Sequence, residues 1–539
     1  MSSITPSSRS VLPTSSTARS QSAWLWGVLV LILVLNAAFL YFNSFRLMKF
    51  FDMGTFIDLA WRVYQGQRPH IDYSIHVGPV NAYWMALFFH IFKFGKVAIW
   101  ACTVATHSLA MLASFLLLKN RVPAWAVLLG TLVTTTSFIW AVSFPFYTHN
   151  AQLWGILATA LLAAQVPFKT PRSVVWSLGT CGVASVIIFL TKSNVGAGFF
   201  MLFLAFALFI PQRKIALPSF VVGILLGLLI ATLFWIPDWS RFANQTILQY
   251  GQSQQGRLFK LIFEPYHWFM NFYWVGILLV TVHLIRSKIF PKELCFLFLG
   301  VYGVAILETA TSGAIWQCNT PLLGLFVTLV WMLLYSGTAR GTRQATGSVS
   351  QEKSRLRRVI LFGAAFYSLF LIALHAQYGL QVKGWTLPDR FVYGVGVNPM
   401  GTYALQTPSL QGWKTERGQG MAVDNLASFI QTHIPKEERL IILTDLFILN
   451  AMTGRESLRG IPATWTIDYL PPPGKALEEF QAFFNADPPE WIITHQKRVA
   501  FITPLVPYLG IQQTIQSHYA IVHQAGNYIV LRKKSTTDR

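Results

Sequence analysis

Charged residues are scarce in this chain, and acidic residues are the scarcest. Only 12% of the 539 residues are charged, with 21 Asp and Glu against 42 Lys and Arg, while 53% are hydrophobic. Such a composition excludes a soluble globular protein of this length. Apolar runs of about twenty residues recur between Trp24 and Gly379, and each can cross the bilayer as a helix. The sequence therefore predicts a mainly α, polytopic membrane protein.

Cysteine is also scarce, and repeats are missing. The four cysteines, Cys102, Cys181, Cys295 and Cys318, lie in or beside apolar segments, and the polar C-terminal region has none. This distribution implies no disulfide framework. No internal repeat is visible, which argues against a transporter built from inverted repeats.

The net charge of +21 would suggest a nucleic-acid partner in a soluble protein. Here Lys and Arg concentrate in short loops between apolar runs, which is typical of loops that stay in the cytoplasm. The most basic loop, RGTRQATGSVSQEKSRLRR at 340–358, is therefore placed in the cytoplasm. No nucleic-acid partner is expected.

Counting back from that loop predicts eleven spans, with the other basic loops on the same side. Segment 79–94 is short and is interrupted by KFGK, so it is predicted to lie in the outer interface. The alternative is that it crosses and that another short span does not. The predicted spans cover residues 24–42, 97–118, 122–143, 150–166, 173–191, 195–210, 215–236, 271–287, 293–310, 319–336 and 359–379.

This count divides the chain into three parts. Residues 1–22 are Ser/Thr-rich and are predicted to form a disordered cytoplasmic tail. Residues 23–379 form the transmembrane module, with an outer loop at 43–96. Residues 380–539 are predicted to be a small extracytoplasmic α/β domain, with strands at RLIILTD, EWIITH and NYIVLRK and helices at AVDNLASFIQTHI and KALEEFQAFFNA.

The outer loop opens with FFDMGTFIDLAWRVYQGQRPHIDY, in which Thr55–Tyr64 has the spacing of a short amphipathic helix. Asp58 and Arg62 stand at i, i+4, which predicts an ion pair on the helix surface and competes with a catalytic role for Asp58. Asp52 has no such local partner. It is either a helix N-cap or a carboxylate available for chemistry.

This loop, followed by GPVNAYW, resembles the first extracytoplasmic loop of the GT-C glycosyltransferases over residues 45–95. These polytopic enzymes use polyprenyl-phosphate-linked sugars and include the protein O-mannosyltransferases and the lipid A aminoarabinose transferase. The resemblance implies that Asp52 is the catalytic aspartate. It also implies that Asp58, Asp72 and Pro79 belong to the substrate loop, with Asp72 on the acid of the "P..D" element and Pro79 on the proline of the "PP" element.

Two positions depart from the family pattern. Met53 follows Asp52 where an Asp-Glu pair is common, and His149 and Asn150 stand where many members have a second acidic motif. Both departures disfavour a divalent metal. We therefore predict no metal ligands and a lipid-linked sugar donor; a divalent metal is the alternative, and the sequence does not support it.

Cations on the outer side are the candidate ligands of the donor phosphate. Lys192 lies between two apolar spans, where an isolated lysine is costly, and Arg257 lies in the long outer loop. His76 stands beside the Gly-Pro step. The alternatives are a snorkelling lysine, a solvated loop charge and a histidine without function. Glu308, near the outer end of its span, is a second candidate acid, or else makes a buried hydrogen bond between helices.

Together these features predict a membrane glycosyltransferase, a hexosyl- or pentosyltransferase. It would transfer a sugar from a polyprenyl-phosphate donor to a cell-envelope glycan, lipid or protein on the extracytoplasmic face of a bacterial inner or plasma membrane. A single inverting displacement with Asp52 as base is the simplest mechanism. The alternative is a transporter or flippase of a lipid-linked saccharide. The charged residues that are candidates for the site lie in or beside outer loops rather than at mid-membrane, which favours the enzyme.

Overall fold

The computed structural model of the chain describes most of its helical module and most of its C-terminal domain. The described residues are 15–45, 50–75, 77–119, 146–236, 238–249, 291–312, 403–459, 475–496 and 510–535, with single positions at 124, 127, 128 and 131.

The N-terminal module is built from helices. In chain order they are α1 (Ser15–Ser44), α2 (Thr55–Tyr64), α3 (Val80–Phe92), α4 (Lys96–Leu118), α5 (Tyr147–Ala164), α6 (Pro171–Phe189), α7 (Ser193–Phe209), α8 (Arg213–Phe234), α9 (Trp239–Phe242) and α10 (Lys292–Ser312). A π-helical turn, Phe50–Gly54, leads into α2, and a π-helical segment, Ala243–Gln249, follows α9.

Several of these helices suit a bilayer. Among the described residues, the helical stretches Ala23–Phe42, Lys96–Leu118, Pro171–Phe189 and Arg213–Phe234 are long and apolar enough to cross a membrane. Helix α8 leaves Val222, Leu225, Leu229 and further large apolar side chains exposed, as expected of a face that contacts lipid tails.

Helices α6 and α8 pack closely through glycine. A Cβ atom at Gly223 would lie 2.1 Å from the Gly179 carbonyl oxygen, and one at Gly182 would lie 2.3 Å from that of Phe220. Small residues let apolar helices approach at backbone distance, which drives their association where lipid replaces water.

The predicted spans at 24–42, 97–118, 150–166, 173–191, 195–210, 215–236 and 293–310 coincide with helices α1, α4, α5, α6, α7, α8 and α10. Those at 122–143, 271–287, 319–336 and 359–379 lie mostly or wholly outside the described residues. Helix α3, in segment 79–94, has 13 residues. Its length of about 20 Å is shorter than the hydrocarbon core, and its placement in the outer interface stays a prediction.

The predicted disordered tail is wrong for its last residues. Helix α1 begins at Ser15, so residues 15–22 continue the anchor helix. The apolar segment supplies the helical nucleus, and extending a helix fixes only one residue for each added hydrogen bond.

The C-terminal domain has the predicted α/β character. Its elements are β1 (Tyr403–Ala404), β2 (Lys414–Thr415), α11 (Arg417–His433), β3 (Leu440–Leu443), α12 (Ile448–Thr453), α13 (Lys475–Ala486), β4 (Trp491–His495), α14 (Gln512–His518), β5 (Tyr519–Ala525) and β6 (Tyr528–Lys533). The four-stranded sheet has the order β3-β4-β6-β5, with β3 and β4 parallel and the other pairs antiparallel.

The outer loop and the C-terminal domain share one hydrophobic core. Phe45 packs edge-on against Trp413 with ring centroids 5.2 Å apart, and the Lys414 amide donates to the Phe45 carbonyl at 2.8 Å. The Trp61 indole donates to the Arg455 carbonyl at 2.7 Å. The same core includes buried side chains from α2, α3, α4, α11, α12 and the sheet. The two regions therefore form one folded unit.

Because they are in contact, we expect the outer loop and the C-terminal domain to lie on the same side of the membrane. The substitutions Arg68→Cys and Glu416→Cys fall at exposed positions of the loop and the domain. An impermeant thiol reagent should label both in intact cells, whereas Ser350→Cys, in the predicted cytoplasmic loop, should react only after permeabilisation. Labelling of one outer position without the other would contradict this topology.

Candidate active site at one end of the helix bundle

The Gly-Pro step of the outer loop lies against the turn between α6 and α7. The Val80 amide donates to the Leu190 carbonyl at 3.2 Å, and a Cβ atom at Gly78 would lie only 1.8 Å from that oxygen. Pro79 is buried and occupies the N-cap position of α3. Only glycine allows this approach, so Gly78 and Pro79 hold the outer loop against the turn that carries Lys192.

Lys192 and Glu308 form a buried ion pair at this end of the bundle. Lys192 Nζ lies 2.5 Å from Glu308 Oε1 and 3.0 Å from Thr148 Oγ1, and Asn194 Nδ2 donates to Glu308 Oε2 at 3.0 Å. Glu308 is fully buried and Lys192 is 6% exposed. The structure therefore brings together two residues that the sequence singled out separately. It also corrects the expectation that Lys192 is an isolated cation, because Glu308 compensates its charge.

The ion pair is connected to the acidic end of the outer loop through aromatic rings. Lys192 Nζ lies 5.1 Å from the centroid of the Tyr147 ring, and that ring stacks on Phe56 at 5.0 Å. Phe56 is in the first turn of α2, four residues after Asp52. The loop and the cation are thus parts of one packed arrangement.

Asp52 lies within the π-helical turn Phe50–Gly54. The N-cap residue of α2 is Gly54, so the backbone does not place Asp52 at the N-cap of that helix. Its side chain lies outside what the structure describes. Its neighbour Met53 is buried. A Cβ atom added at Gly54 would lie 3.5 Å from the Ile448 side chain of α12. The turn is therefore held between the bundle and the C-terminal domain.

Asp58 forms the predicted ion pair with Arg62, but the predicted exposure of that pair is wrong. Asp58 Oδ2 lies 2.7 Å from Arg62 Nε, and the two side chains are 2% and 1% exposed. The C-terminal domain covers them. Ser457 donates to Asp58 Oδ1 at 2.6 Å, Arg62 donates to the Leu458 carbonyl at 2.9 Å, and Gln67 donates to the Ser457 carbonyl. Asp58 therefore joins two parts of the chain.

Asp72 closes the turn that follows α2. Its Oδ2 accepts from the Arg68 amide at 2.7 Å, and its Oδ1 lies 3.7 Å from Arg459 of the C-terminal domain. The nearby Tyr73 hydroxyl donates to the Leu59 carbonyl at 3.4 Å. Burial raises the pKa of Tyr73 well above its ordinary value, so this hydroxyl stays protonated. These contacts shape the loop.

Two predicted phosphate ligands, His76 and Arg257, lie outside the described residues. Within the described part of the chain, no group of three or more His, Cys, Asp or Glu side chains could hold a metal ion. Metal independence stays a prediction.

Thr148 and Asn194 were not predicted from the sequence. Both are small polar residues at the start of apolar helices, in YTHN and TKSN. Their common signal is a polar group at the same end of two neighbouring helices, where it can satisfy a buried charge.

Gly78→Ala should disturb this site. The added methyl group cannot fit beside the Leu190 carbonyl, so the loop and the Lys192 turn must separate, and overpacking of this kind costs about 1–3 kcal/mol. We expect a lower melting temperature and slower turnover. Gly303→Ala is the matched control, because a Cβ atom there meets nothing within 4 Å on the helix that carries Glu308. Equal behaviour of the two variants would contradict this account.

Comparison with solved structures identifies the fold of the chain. No protein-family model and no curated protein sequence matches the chain. Among solved structures, ArnT from Cupriavidus metallidurans in the apo state aligns with a TM-score of 0.50 at 13% identity, over 96% of this chain and 98% of that chain. The same protein bound to undecaprenyl phosphate aligns with a TM-score of 0.49 at 12% identity, over 96% and 99%.

ArnT is an aminoarabinose transferase of the GT-C superfamily. The resemblance seen in the outer loop thus extends to the architecture of nearly the whole chain, including its C-terminal α/β domain. The chain has the GT-C glycosyltransferase fold.

Proposed function

We propose that the protein is a membrane glycosyltransferase that takes its sugar from a polyprenyl-phosphate-linked donor. The observation that carries the proposal is the arrangement at one end of the bundle, where the acidic outer loop packs on the turn that carries the Lys192–Glu308 pair. The fold supports it, since the ArnT structure of that fold has also been obtained with undecaprenyl phosphate.

Lys192 is the group on which we expect the donor phosphate to bind. A charge-assisted hydrogen bond from an ammonium group to a phosphate oxygen is about twice as strong as a neutral one. Glu308 and Thr148 fix the position of Nζ, so little side-chain freedom is lost when an anion arrives. The end of an apolar bundle is also the level at which a lipid headgroup lies.

The reaction we propose is a single displacement at the anomeric carbon. The acceptor hydroxyl oxygen forms a bond to that carbon, and the bond between the carbon and the phosphate oxygen breaks. Asp52 accepts the hydroxyl proton, and polyprenyl phosphate leaves with the bonding electron pair. Lys192 stabilises the charge that develops on the departing phosphate. The product has the inverted anomeric configuration.

Transfer of labelled sugar tests this function. The purified protein in lipid nanodiscs is incubated with synthetic polyprenyl-phosphate donors carrying radiolabelled hexoses or pentoses and with cell-envelope fractions as acceptors. We expect label to appear in an envelope fraction, with release of polyprenyl phosphate. The Asp52→Asn protein is the negative control. Movement of intact donor across liposome membranes without transfer would identify a flippase instead.

The Lys192–Glu308 pair allows binding and folding to be separated. Lys192→Met alone leaves a buried, uncompensated carboxylate and should destabilise the protein by about 3–5 kcal/mol. The double variant Lys192→Met with Glu308→Gln removes both charges and should recover most of that stability. Its affinity for the donor should still fall about 10- to 100-fold, because a hydrogen bond to a charged group contributes about 1.5–3 kcal/mol.

Donor binding by the double variant, measured in nanodiscs beside its thermal unfolding, decides the role of Lys192. If a stable double variant binds the donor as tightly as the wild type does, the pair only holds α10 to the start of α7.

A further inference from the structure

His70, in the turn between α2 and α3, has one ring nitrogen that nothing in the described structure satisfies. The side chain is 2% exposed, and its Nε2 has no hydrogen-bond partner among the residues that the structure describes. A buried polar atom without a partner costs about 1–3 kcal/mol, so native proteins rarely keep one without a reason.

The other ring nitrogen determines what Nε2 can do. His70 Nδ1 lies 2.8 Å from Gln245 Oε1, and Gln245 Nε2 donates to Ser74 Oγ at 3.2 Å. With the Gln245 amide in this orientation, Nδ1 carries the hydrogen and Nε2 presents a lone pair. Burial lowers the pKa of His70 to about 4, so the ring is neutral at physiological pH. A neutral acceptor attracts a hydroxyl or an N–H donor and does not attract a phosphate.

The backbone also holds His70 in an unusual conformation. Its φ is +66°, while its amide donates to the Tyr73 carbonyl at 2.9 Å. A positive φ is uncommon for residues other than glycine, although asparagine, aspartate and histidine adopt it several times more often than the others. The turn therefore fixes the backbone from which the imidazole projects.

The position of His70 suggests which ligand supplies the donor group. Its ring contacts Phe242 edge-on at 5.1 Å, and Phe242 contacts Phe189 at 6.3 Å. Phe189 ends α6, immediately before the turn that carries Lys192. In the described structure, the polar partner of His70 comes from the segment after α9, not from the C-terminal domain. His70 thus lies on the bundle side of the loop, where the donor phosphate is expected.

We propose that His70 Nε2 accepts a hydrogen bond from a hydroxyl group of the sugar carried by the lipid-linked donor. This inference rests on the proposed function, and it names a residue that distinguishes the glycosylated lipid from bare polyprenyl phosphate. No bond is made or broken at His70, so it is a binding residue.

Two substitutions distinguish the role of His70 Nδ1 from that of Nε2. His70→Asn keeps a polar group where Nδ1 stands, tolerates the positive φ and removes the Nε2 acceptor. His70→Gln places an amide oxygen near the position of Nε2. Both variants lose the packing of the buried ring on Phe242, so a lower melting temperature is expected in either case and serves only as the control for folding. The role of Nε2 is decided by lipid binding.

Binding is measured in nanodiscs for polyprenyl phosphate and for a panel of synthetic polyprenyl-phosphate hexoses and pentoses. We expect the wild type to prefer one glycosylated lipid over polyprenyl phosphate. His70→Asn should reduce that preference about 2- to 12-fold, as for one neutral hydrogen bond, with affinity for polyprenyl phosphate unchanged. His70→Gln should retain part of the preference.

Other outcomes overturn one proposal or the other. An unchanged preference in a stable His70→Asn protein would mean that a buried water satisfies Nε2, and the inference would fail while the proposed function stood. A parallel loss for both lipids would mean that His70 only shapes the loop. If the wild type binds none of the lipids, the proposed function itself fails.

Discussion

Replacing Asp52 with asparagine is expected to lower the rate of sugar transfer about 10²- to 10⁴-fold, the range for loss of a general base. Asparagine has nearly the same size and can still hydrogen-bond, but it cannot accept the proton of the acceptor hydroxyl. Residue 52 lies in a turn held between the bundle and the C-terminal domain, so the isosteric change should leave the protein folded. The measurement is the single-turnover rate with saturating donor.

Donor affinity and melting temperature are the controls for this variant, and both should match the wild type. A slow variant that also fails to bind the donor would point to a positioning role for Asp52. Full activity would move the search to Glu308, the second acid at this end of the bundle, which the structure holds against Lys192 and Asn194.

Replacing Asp58 with asparagine is expected to destabilise the protein by about 3–5 kcal/mol. The neutral amide leaves the Arg62 guanidinium buried without its counter-charge, and breaking a buried pair on one side is costly. It also disturbs the hydrogen bond from Ser457, and with it the contact between the loop and the C-terminal domain. The measurement is thermal unfolding in detergent, combined with limited proteolysis of the region around residue 457.

A nearby pair provides the matched control. Arg68 and Asp72 also stand at i, i+4, but they are 3.9 Å apart and the arginine is 58% exposed. Arg68→Gln should therefore change stability by less than about 1 kcal/mol. The double variant Asp58→Leu with Arg62→Met should be more stable than Asp58→Asn, because no charge is left buried. If Asp58→Asn melts at the wild-type temperature, the Asp58–Arg62 pair does not stabilise the fold.

Local periodicity predicted the elements that bury one continuous face. The bounds of α2 agree with the prediction residue for residue, and the strands at Leu440–Leu443, Trp491–His495 and Tyr528–Lys533 lie within the predicted segments. Strand β5 was missed because it is an edge strand with most of its side chains exposed, so the apolar signal of a strand is weak there.

The candidate site could be predicted only as separate parts. A lysine between apolar spans is conspicuous in a sequence, and so is an acid near the end of a span. That Lys192 and Glu308 meet depends on helix packing between residues 116 positions apart, which no local pattern encodes. The burial of Asp58 likewise depends on Ser457, from another part of the chain. Local spacing correctly paired Asp58 with Arg62 but could not reveal what covers them.

The bond between Asp58 and Ser457 joins residues 399 positions apart, and this distance has a consequence for biosynthesis. At about 5–20 residues per second, a ribosome needs about 20–80 s to proceed from one to the other. During that time the loop that carries Asp52 has been made, but the partner that covers its buried charges does not yet exist. The loop can reach its final conformation only after the C-terminal domain has been synthesised, so each new molecule completes this end of the bundle last.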